Sequence, residues 1–428
     1  MTPSSRVQSS IQIIERIMTS KVPMDSVCGD FFRTRRYIGS KDRAAIVEMV
    51  YGMMRHMARL SFILEQQNSE KTPRFFALAY LLLTGEPINR IRDLFDGSKY
   101  GPDKLDENEA AFIDNYAIPD FPEAVEVECP PEHENELRSI FGDDFAAEMK
   151  AMLEPATLDL RVNLANSNQE KVIKFLEADN VITHPTPYSP WGLRCESKAF
   201  LSRTKAMSKG WIEIQDEGSQ LIALACDAKP GMQVLDYCAG AGGKTLALAG
   251  SMQNKGRIVA MDIEARRLEK SRPRFRKAGV ADIIEVRPIS DEKNRKWLRR
   301  QKETFDIVLC DVPCSGTGTW RRNPDMRWRT YGPSLEELTD IQAEILEKVA
   351  HTVKPGGKLV YATCSLLRAE NEHQVEKFLE KYPEFKLQEL KDIWPVPDAI
   401  PCTGSVMRLS PHQHKTDGFF AAVLQKTI

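Results

Sequence analysis

Two of the nine cysteines in this 428-residue chain stand where chemistry would gather. Cys314 follows Pro313 and precedes Ser315-Gly316-Thr317-Gly318, so a tight turn presents its thiol. Cys364 lies between Thr363 and Ser365, at the end of the apolar run Leu359–Thr363. Asp311, just ahead of Cys314, follows another apolar run, Phe305–Cys310. A cysteine attacks as its thiolate, helped by a lowered pKa or a nearby base. If both runs are central strands of one sheet, the two thiols and the acid face one pocket beyond the strand ends. The same spacing also fits two packing thiols and a capping aspartate. A cysteine hydrolase would want a histidine beside either thiol; His351 falls on a helix and His373 in a polar run beyond a strand.

A third run, Met232–Asp236, leads into the loop Cys238–Thr245, CAGAGGKT. Glycines between a strand and a helix let the backbone turn tightly and approach a ligand closely. The spacing is too short for a phosphate-cradling GxxxxGK[ST] loop and does not fit the GxGxxG of nicotinamide-binding folds. Asp262 ends the next strand, where an acid commonly accepts hydrogen bonds from a ribose diol. Loop and acid together point to an adenosine-bearing cofactor.

The elements that must position these groups follow a βα rhythm. Strands are expected at Met232–Asp236, Gly256–Asp262, Ile283–Val286, Phe305–Leu309 and Leu359–Thr363, with Met407–Leu409 and Gly418–Val423 closing the sheet. Helices are expected over Ala265–Ala278 with a kink at Pro273, over Ser334–Thr352 with Ser334 as cap, and over Glu370–Tyr382. Upstream, Leu158–Asn163, Val181–Thr183 and Trp211–Gln215 read as strands and Asn168–Glu177 as a helix. The N-terminal region lacks period-two alternation and reads as helical, with one long helix from Lys41 to Gln66 whose methionines are core filler. The Pro- and Glu-rich stretch Pro119–Glu136 reads as a boundary or loop.

Composition narrows the class. Apolar content of 42% and charged content of 28% describe a soluble globular chain of two or three domains. No apolar run is long enough to span a membrane, and the N-terminus has no signal-peptide pattern, so a cytoplasmic location is expected. The cysteine spacing suits neither a disulfide framework nor a zinc site, and no metal is expected. A net charge of −2 conceals an uneven distribution. Residues 251–300 carry 15 basic against seven acidic residues, while residues 101–160 carry 17 acidic against three basic. A local basic face can hold a nucleic-acid backbone. Trp320–Arg329, with Trp328, Arg321, Arg322 and Arg327, reads either as a base-stacking and phosphate-binding segment or as a basic loop with packing tryptophans.

These segments in order resemble the S-adenosylmethionine-dependent RNA 5-methylcytosine methyltransferases of the RsmB/Sun group. The resemblance covers roughly Leu158–Ile428. It rests on LRVN (160–163), QDEGSQ (215–220), LDYCAGAGGKT (235–245), DVPCSGTGTWRRNPDMRW (311–328), YATCS (361–365) and TDGFFAA (416–422). More loosely, GSKDRAAIVEMVYGMMR (39–55) is similar to the NusB-type RNA-binding domain.

The resemblance implies an α/β chain whose Rossmann-like, doubly wound class I methyltransferase domain (206–428) follows a small α/β domain (143–205) and an all-helical NusB-like domain (1–142). It implies a monomer that methylates C5 of a cytosine in ribosomal RNA. Cys364 would be the nucleophile at C6, Asp311 would contact N3, and Cys314 would assist release of the adduct. Cys238, Ala239, Gly240, Ala241, Gly242, Gly243 and Lys244 would line the S-adenosyl-L-methionine site, with Asp262 on the ribose and Arg267 and Asp311 nearby. The chain departs from the family in having Ala241 where proline is usual. It also lacks the usual aspartate after the third strand, where it reads EVRPISDE. A tRNA cytosine methyltransferase and a non-catalytic RNA-binding assembly factor are the competing readings; the intact Asp311, Cys314 and Cys364 weigh against the second.

Overall fold

The computed structural model describes residues 1–328 and 331–428. The chain forms two compact units, one of residues 1–155 and 319–333, the other of 156–318 and 334–428. They divide after Pro155 rather than after residue 142, and the helices Glu123–Glu126 and Pro131–Phe141 occupy the stretch expected to be a boundary.

The first unit is helical. Its opening helix Pro3–Thr19 is capped by the Thr2 hydroxyl, which accepts the Ser5 N–H, and it buries Val7, Ile11, Ile14 and Ile17 along one face. The long helix expected from Lys41 to Gln66 is two helices, Ser40–Arg55 and Met57–Gln66, broken at His56. The His56 ring nitrogen Nδ1 meets the Gly52 carbonyl at 2.7 Å, and the break lets Glu128 accept the Ala58 and Arg59 N–H groups. Met53 and Met54 are buried in the core as expected.

Part of this unit comes from far along the sequence. In Thr319–Pro333, Trp320 is 1% exposed and stacks with His133, and Arg327 is 3% exposed with its guanidinium 4.8 Å from the Trp320 ring centre. The Trp328 indole donates to the Met54 carbonyl and Asp325 accepts the Met24 N–H. Arg321 is also buried. Trp320, Arg321 and Arg327 therefore cement the helical unit and do not present a stacking platform; Arg329 lies outside the described residues. Sequence periodicity misses this because the segment packs against helices hundreds of residues upstream.

The second unit holds two sheets. The smaller is antiparallel, in the order β2 (Thr183–Pro185), β3 (Gly192–Cys195), β1 (Asp159–Val162), β4 (Ile212–Ile214). The larger contains β5 (Gln233–Asp236), β6 (Arg257–Asp262), β7 (Ile284–Pro288), β8 (Phe305–Asp311), β9 (Val353–Thr363), β10 (Phe385–Leu387), β11 (Val406–Leu409) and β12 (Phe419–Lys426). Its order is β10-β12-β9-β8-β5-β6-β7, with β11 also on β12. Strands β5 to β9 run parallel and β12 is antiparallel to β9. This is a Rossmann-like sheet whose order reverses between β5 and β8, the place where such sheets bind ligands. Ile307, Val308, Leu309 and Cys310 of β8 are at most 1% exposed, as a strand covered on both faces requires. Burying each of the three aliphatic side chains is worth about 1.5–3 kcal/mol.

One expected kink is displaced. The helices Ala265–Glu269 and Ser271–Lys277 break at Lys270, not at Pro273. Pro273 stands in the first turn of the second helix, where its missing N–H costs no intrahelical bond.

Candidate active site

The strand ends place the chemistry. Asp311 ends β8, Cys364 follows β9, and β8 and β9 are parallel neighbours. The turn after β8 brings Cys314 back, so that its Sγ lies 3.4 Å from the Cys364 Sγ. The Gly318 N–H donates to the Cys364 carbonyl at 2.9 Å, tying the turn to the end of β9. Gly318 and Gly418 meet backbone to backbone; a Cβ on Gly318 would overlap the Gly418 carbonyl, which explains the glycine of the TDGFF segment. Cys310 and Cys238 are not part of the pair. Cys310 is fully buried within β8, and burial pushes the Cys238 thiol far above its ordinary value.

Lys244, in the first turn of the helix Gly243–Ser251, places its Nζ 2.6 Å from Asp311 Oδ2. Burial alone would favour a neutral amine, but Asp311, then Cys364 and Asp236, raise the Lys244 pKa above its ordinary value. Lys244 is therefore held as a positive charge beside Asp311.

The glycine loop uses left-handed backbone that a side chain would not tolerate. Gly240 and Gly242 have φ of +55° and +79°, and a Cβ on Gly242 would come within 2.5 Å of the Phe275 ring. Asp262 ties this loop to β6: Oδ2 accepts the Gly240 N–H and Oδ1 the Glu264 N–H, both at 2.7 Å. Each oxygen keeps a further lone pair for a diol. The Arg267 guanidinium lies over Gly240, 3.1 Å from where a Cβ would stand.

Several working residues were not singled out from the sequence. The Arg161 Nη1 donates to the Gly243 carbonyl at 2.9 Å, which accounts for the arginine of the LRVN segment. Arg274 donates to the Ala241 carbonyl at 2.5 Å and pairs with Glu213. These guanidinium bonds hold the loop where proline is missing. Asp236, at the end of β5, is fully buried and accepts the Thr245 hydroxyl at 2.6 Å. No local signal marks Arg274, whose partner is 33 residues away; Asp236 could have been found as the acid ending the strand ahead of the glycine loop.

The sheet order, the glycine loop and the acids at the ends of β6 and β8 match a known group. Residues 223–425 fit the family model described as 16S rRNA methyltransferase RsmB/F. This segment belongs to the RsmB/F methyltransferase family. The chain is 29% identical to "Probable ribosomal RNA small subunit methyltransferase B" of Synechocystis sp., over 90% of this chain and 91% of that protein. It is 31% identical to ribosomal RNA small subunit methyltransferase B of Xanthomonas campestris, over 68% and 65%. The crystal structure of PH0851 superposes with a TM-score of 0.77 at 27% identity, covering 100% of this chain and 99% of that one.

S-adenosylmethionine is the methyl donor that the sequence resemblance implies for this RsmB/F segment. The residues fit it: Gly240 turns at φ +55°, where a Cβ would crowd the Arg267 guanidinium, and Asp262, which accepts the Gly240 N–H, keeps lone pairs for a diol. Removing the Arg274 bond from the loop forfeits a charge-assisted hydrogen bond of about 1.5–3 kcal/mol. Arg274→Ala is expected to raise the cofactor Kd about tenfold or more, read by calorimetry, and to lower the melting temperature by a few degrees.

Burial pushes Asp236 up to about 7, against the pull of the Thr245 hydroxyl, with the Asp311 charge adding to the rise. Its folded value thus exceeds the unfolded one, near 3.9. Between those values the folded chain holds a proton that the unfolded chain has lost, so this contribution to stability fades as pH rises from about 4 to about 7. The slope is at most about 1.4 kcal/mol per pH unit. Asp236→Asn is expected to melt higher than the parent at pH 8 and to lose that advantage at pH 5; equal differences at both pH values would refute the assignment.

Proposed function

We propose that this chain transfers a methyl group from S-adenosylmethionine to C5 of a cytosine in small-subunit ribosomal RNA, through a transient bond between Cys364 and C6. The observation that carries the reading is the 3.4 Å thiol pair flanked by the Lys244–Asp311 ion pair at the ends of adjacent parallel strands. Cytosine C5 is a poor nucleophile until C6 is occupied, and a thiolate is suited to that addition. The bound cofactor supplies the methyl group on a sulfonium and leaves as the thioether.

In this mechanism Cys364 Sγ adds to C6 and electron density moves to C5 and N3. Asp311 contacts N3 and relays to it a proton from the paired Lys244 ammonium, which regains it when the adduct is resolved. After C5 is methylated, loss of the C5 proton re-forms the C5–C6 double bond and expels the Cys364 thiolate, a step that Cys314 assists. A base paired in RNA must be turned out to reach these groups.

The helical unit (1–155 with 319–333) acts as a NusB-like RNA-binding module, the small antiparallel sheet precedes the catalytic sheet within the second unit, and the protein works as a cytoplasmic monomer. The exposed Arg266, Lys270, Arg272, Arg276 and Lys277 support an RNA substrate, because they form a basic face on the catalytic unit. The test is incubation with methyl-labelled S-adenosylmethionine and, separately, small-subunit ribosomal RNA, isolated small subunits or tRNA, followed by nucleoside chromatography. Label in 5-methylcytidine from the ribosomal samples is expected. Label in another nucleoside, or in tRNA alone, would overturn the reading.

A further inference from the structure

A buried carboxylate stands behind the thiol pair with no part in the reaction as described above. Glu370 is 0% exposed, in the turn Arg368–Glu370 that follows β9. Its Oε1 accepts the Ser315 N–H at 2.8 Å and the Gln342 Nε2 at 3.0 Å, and its Oε2 accepts the Ser315 hydroxyl at 2.5 Å. Three donors and no acceptor face its two oxygens, the pattern of an ionised carboxylate. Such a charge is tolerated in a protein interior only with bonds of this kind.

The network grips the chain on both sides of Cys314. Gln342, on the helix Leu335–Ala350, donates from the same Nε2 to the Pro313 carbonyl at 3.0 Å. The residue before Cys314 and the residue after it are thus both tied to the Glu370–Gln342 pair. From β9, the Tyr361 hydroxyl donates to the Glu370 carbonyl at 2.5 Å, closing the ring of contacts.

We propose that Glu370, through Ser315 and Gln342, is a positioning residue that sets Cys314 against Cys364 and keeps the proton of the thiol pair on Cys314. The two thiols are otherwise alike and 3.4 Å apart. What distinguishes them is the Glu370 carboxylate, bonded to the residue that follows Cys314. A negative charge on Cys314 is repelled by Glu370, which leaves Cys364 as the nucleophile. The groups facing Cys314 are Cys364 and Tyr361 from β9, Glu370 from the turn beyond it, the neutral Gln342 from the helix, and the Gly316 N–H from its own loop. Asp311 is engaged with Lys244. The Cys314 thiol is accordingly held well above its ordinary value by its bond to Cys364, by burial and by the charges of Cys364 and Glu370, with the Gly316 N–H opposing.

This inference rests on the roles given to the two cysteines, but its deciding measurement, thiol labelling, does not use methyl transfer. In the full chain carrying Cys364→Ser, Cys314 is labelled with brief iodoacetamide pulses from pH 6 to 10 and quantified by peptide mapping. The midpoint is expected above that of an ordinary thiol, near 8.5. Adding Glu370→Gln should lower it by about one pH unit, making labelling at pH 8 about tenfold faster. Glu370→Asp, which keeps the charge, should retain the high midpoint. Gln342→Met loosens the tether and leaves the charge, so it should slow turnover of the otherwise unaltered enzyme while the labelling midpoint stays. A midpoint at or below 8.5 in the Cys364→Ser parent overturns the proposal even if Glu370→Gln does not fold. So does a midpoint unmoved by Glu370→Gln, or moved equally by Gln342→Met. Failure of the cytosine reading would show instead as absent RNA methylation with this titration intact.

Discussion

Cys314→Ala protein, incubated with S-adenosylmethionine and substrate RNA, is expected to remain covalently attached to the RNA under denaturing conditions. The attachment should vanish when Cys364→Ala is added. Cys364→Ala alone is expected to lose methyl transfer by about a thousandfold or more, because C5 is left without the electron density that addition at C6 provides. The asymmetry follows from the strand ends. Cys364 is fixed directly after the central strand β9, and Cys314 is brought to it by a turn whose Gly318 N–H is bonded to the Cys364 carbonyl. Removing Cys314 leaves the end of β9 intact, so the adduct still forms but is not resolved. A gel-shifted band trapped by Cys364→Ala and not by Cys314→Ala would reverse the two roles. Absence of any band, with the parent active on the same RNA, would remove the covalent step.

Lys244→Met is the second variant with a large expected effect. The ammonium is 2.6 Å from Asp311 and is surrounded by Asp311, Asp236 and Cys364. A methionine of similar length leaves Asp311 without its counter-ion and takes away the positive charge that acts on Cys364. Removing one preorganised electrostatic partner from an active site typically costs about 10²–10³ in kcat. That loss is expected here, with KM for RNA changed by less than about threefold, since Lys244 is only 11% exposed. Steady-state kinetics on the parent and variant decide it. A variant that changed KM alone would make Lys244 a binding residue and not part of the catalytic cluster.

Both effects depend on how the site is built. Asp311, Cys314 and Cys364 come from one sheet neighbourhood, and the glycine loop comes from the next strand across the reversal of strand order. Arg161 reaches that loop from the small sheet, so the two sheets of the second unit share the support of the cofactor site. The departure at Ala241 is thereby offset: proline would stiffen the backbone covalently, whereas Arg274 holds the same carbonyl from the helix Ser271–Lys277.

The sequence by itself determined the class of fold and the candidate reacting groups. Apolar runs of strand length, each ending in small or acidic residues, identify the parallel strands, because a strand covered on both faces must be apolar throughout and its chemistry must lie beyond its end. That places Asp236, Asp262, Asp311 and Cys364 within a residue or two of strand ends, where the structure has them. The tertiary structure decided which of these groups meet. Partners such as Lys244 with Asp311, Arg274 with Ala241 and Ser315 with Glu370 are 67, 33 and 55 residues apart, and no local pattern encodes such pairs. It also decided that Trp320 and Arg327 are buried supports of the helical unit. The physical reason is the same in both cases. Periodicity reports which face of an element is buried, but the partner across that face is chosen by packing and by the need of each buried charge for hydrogen bonds.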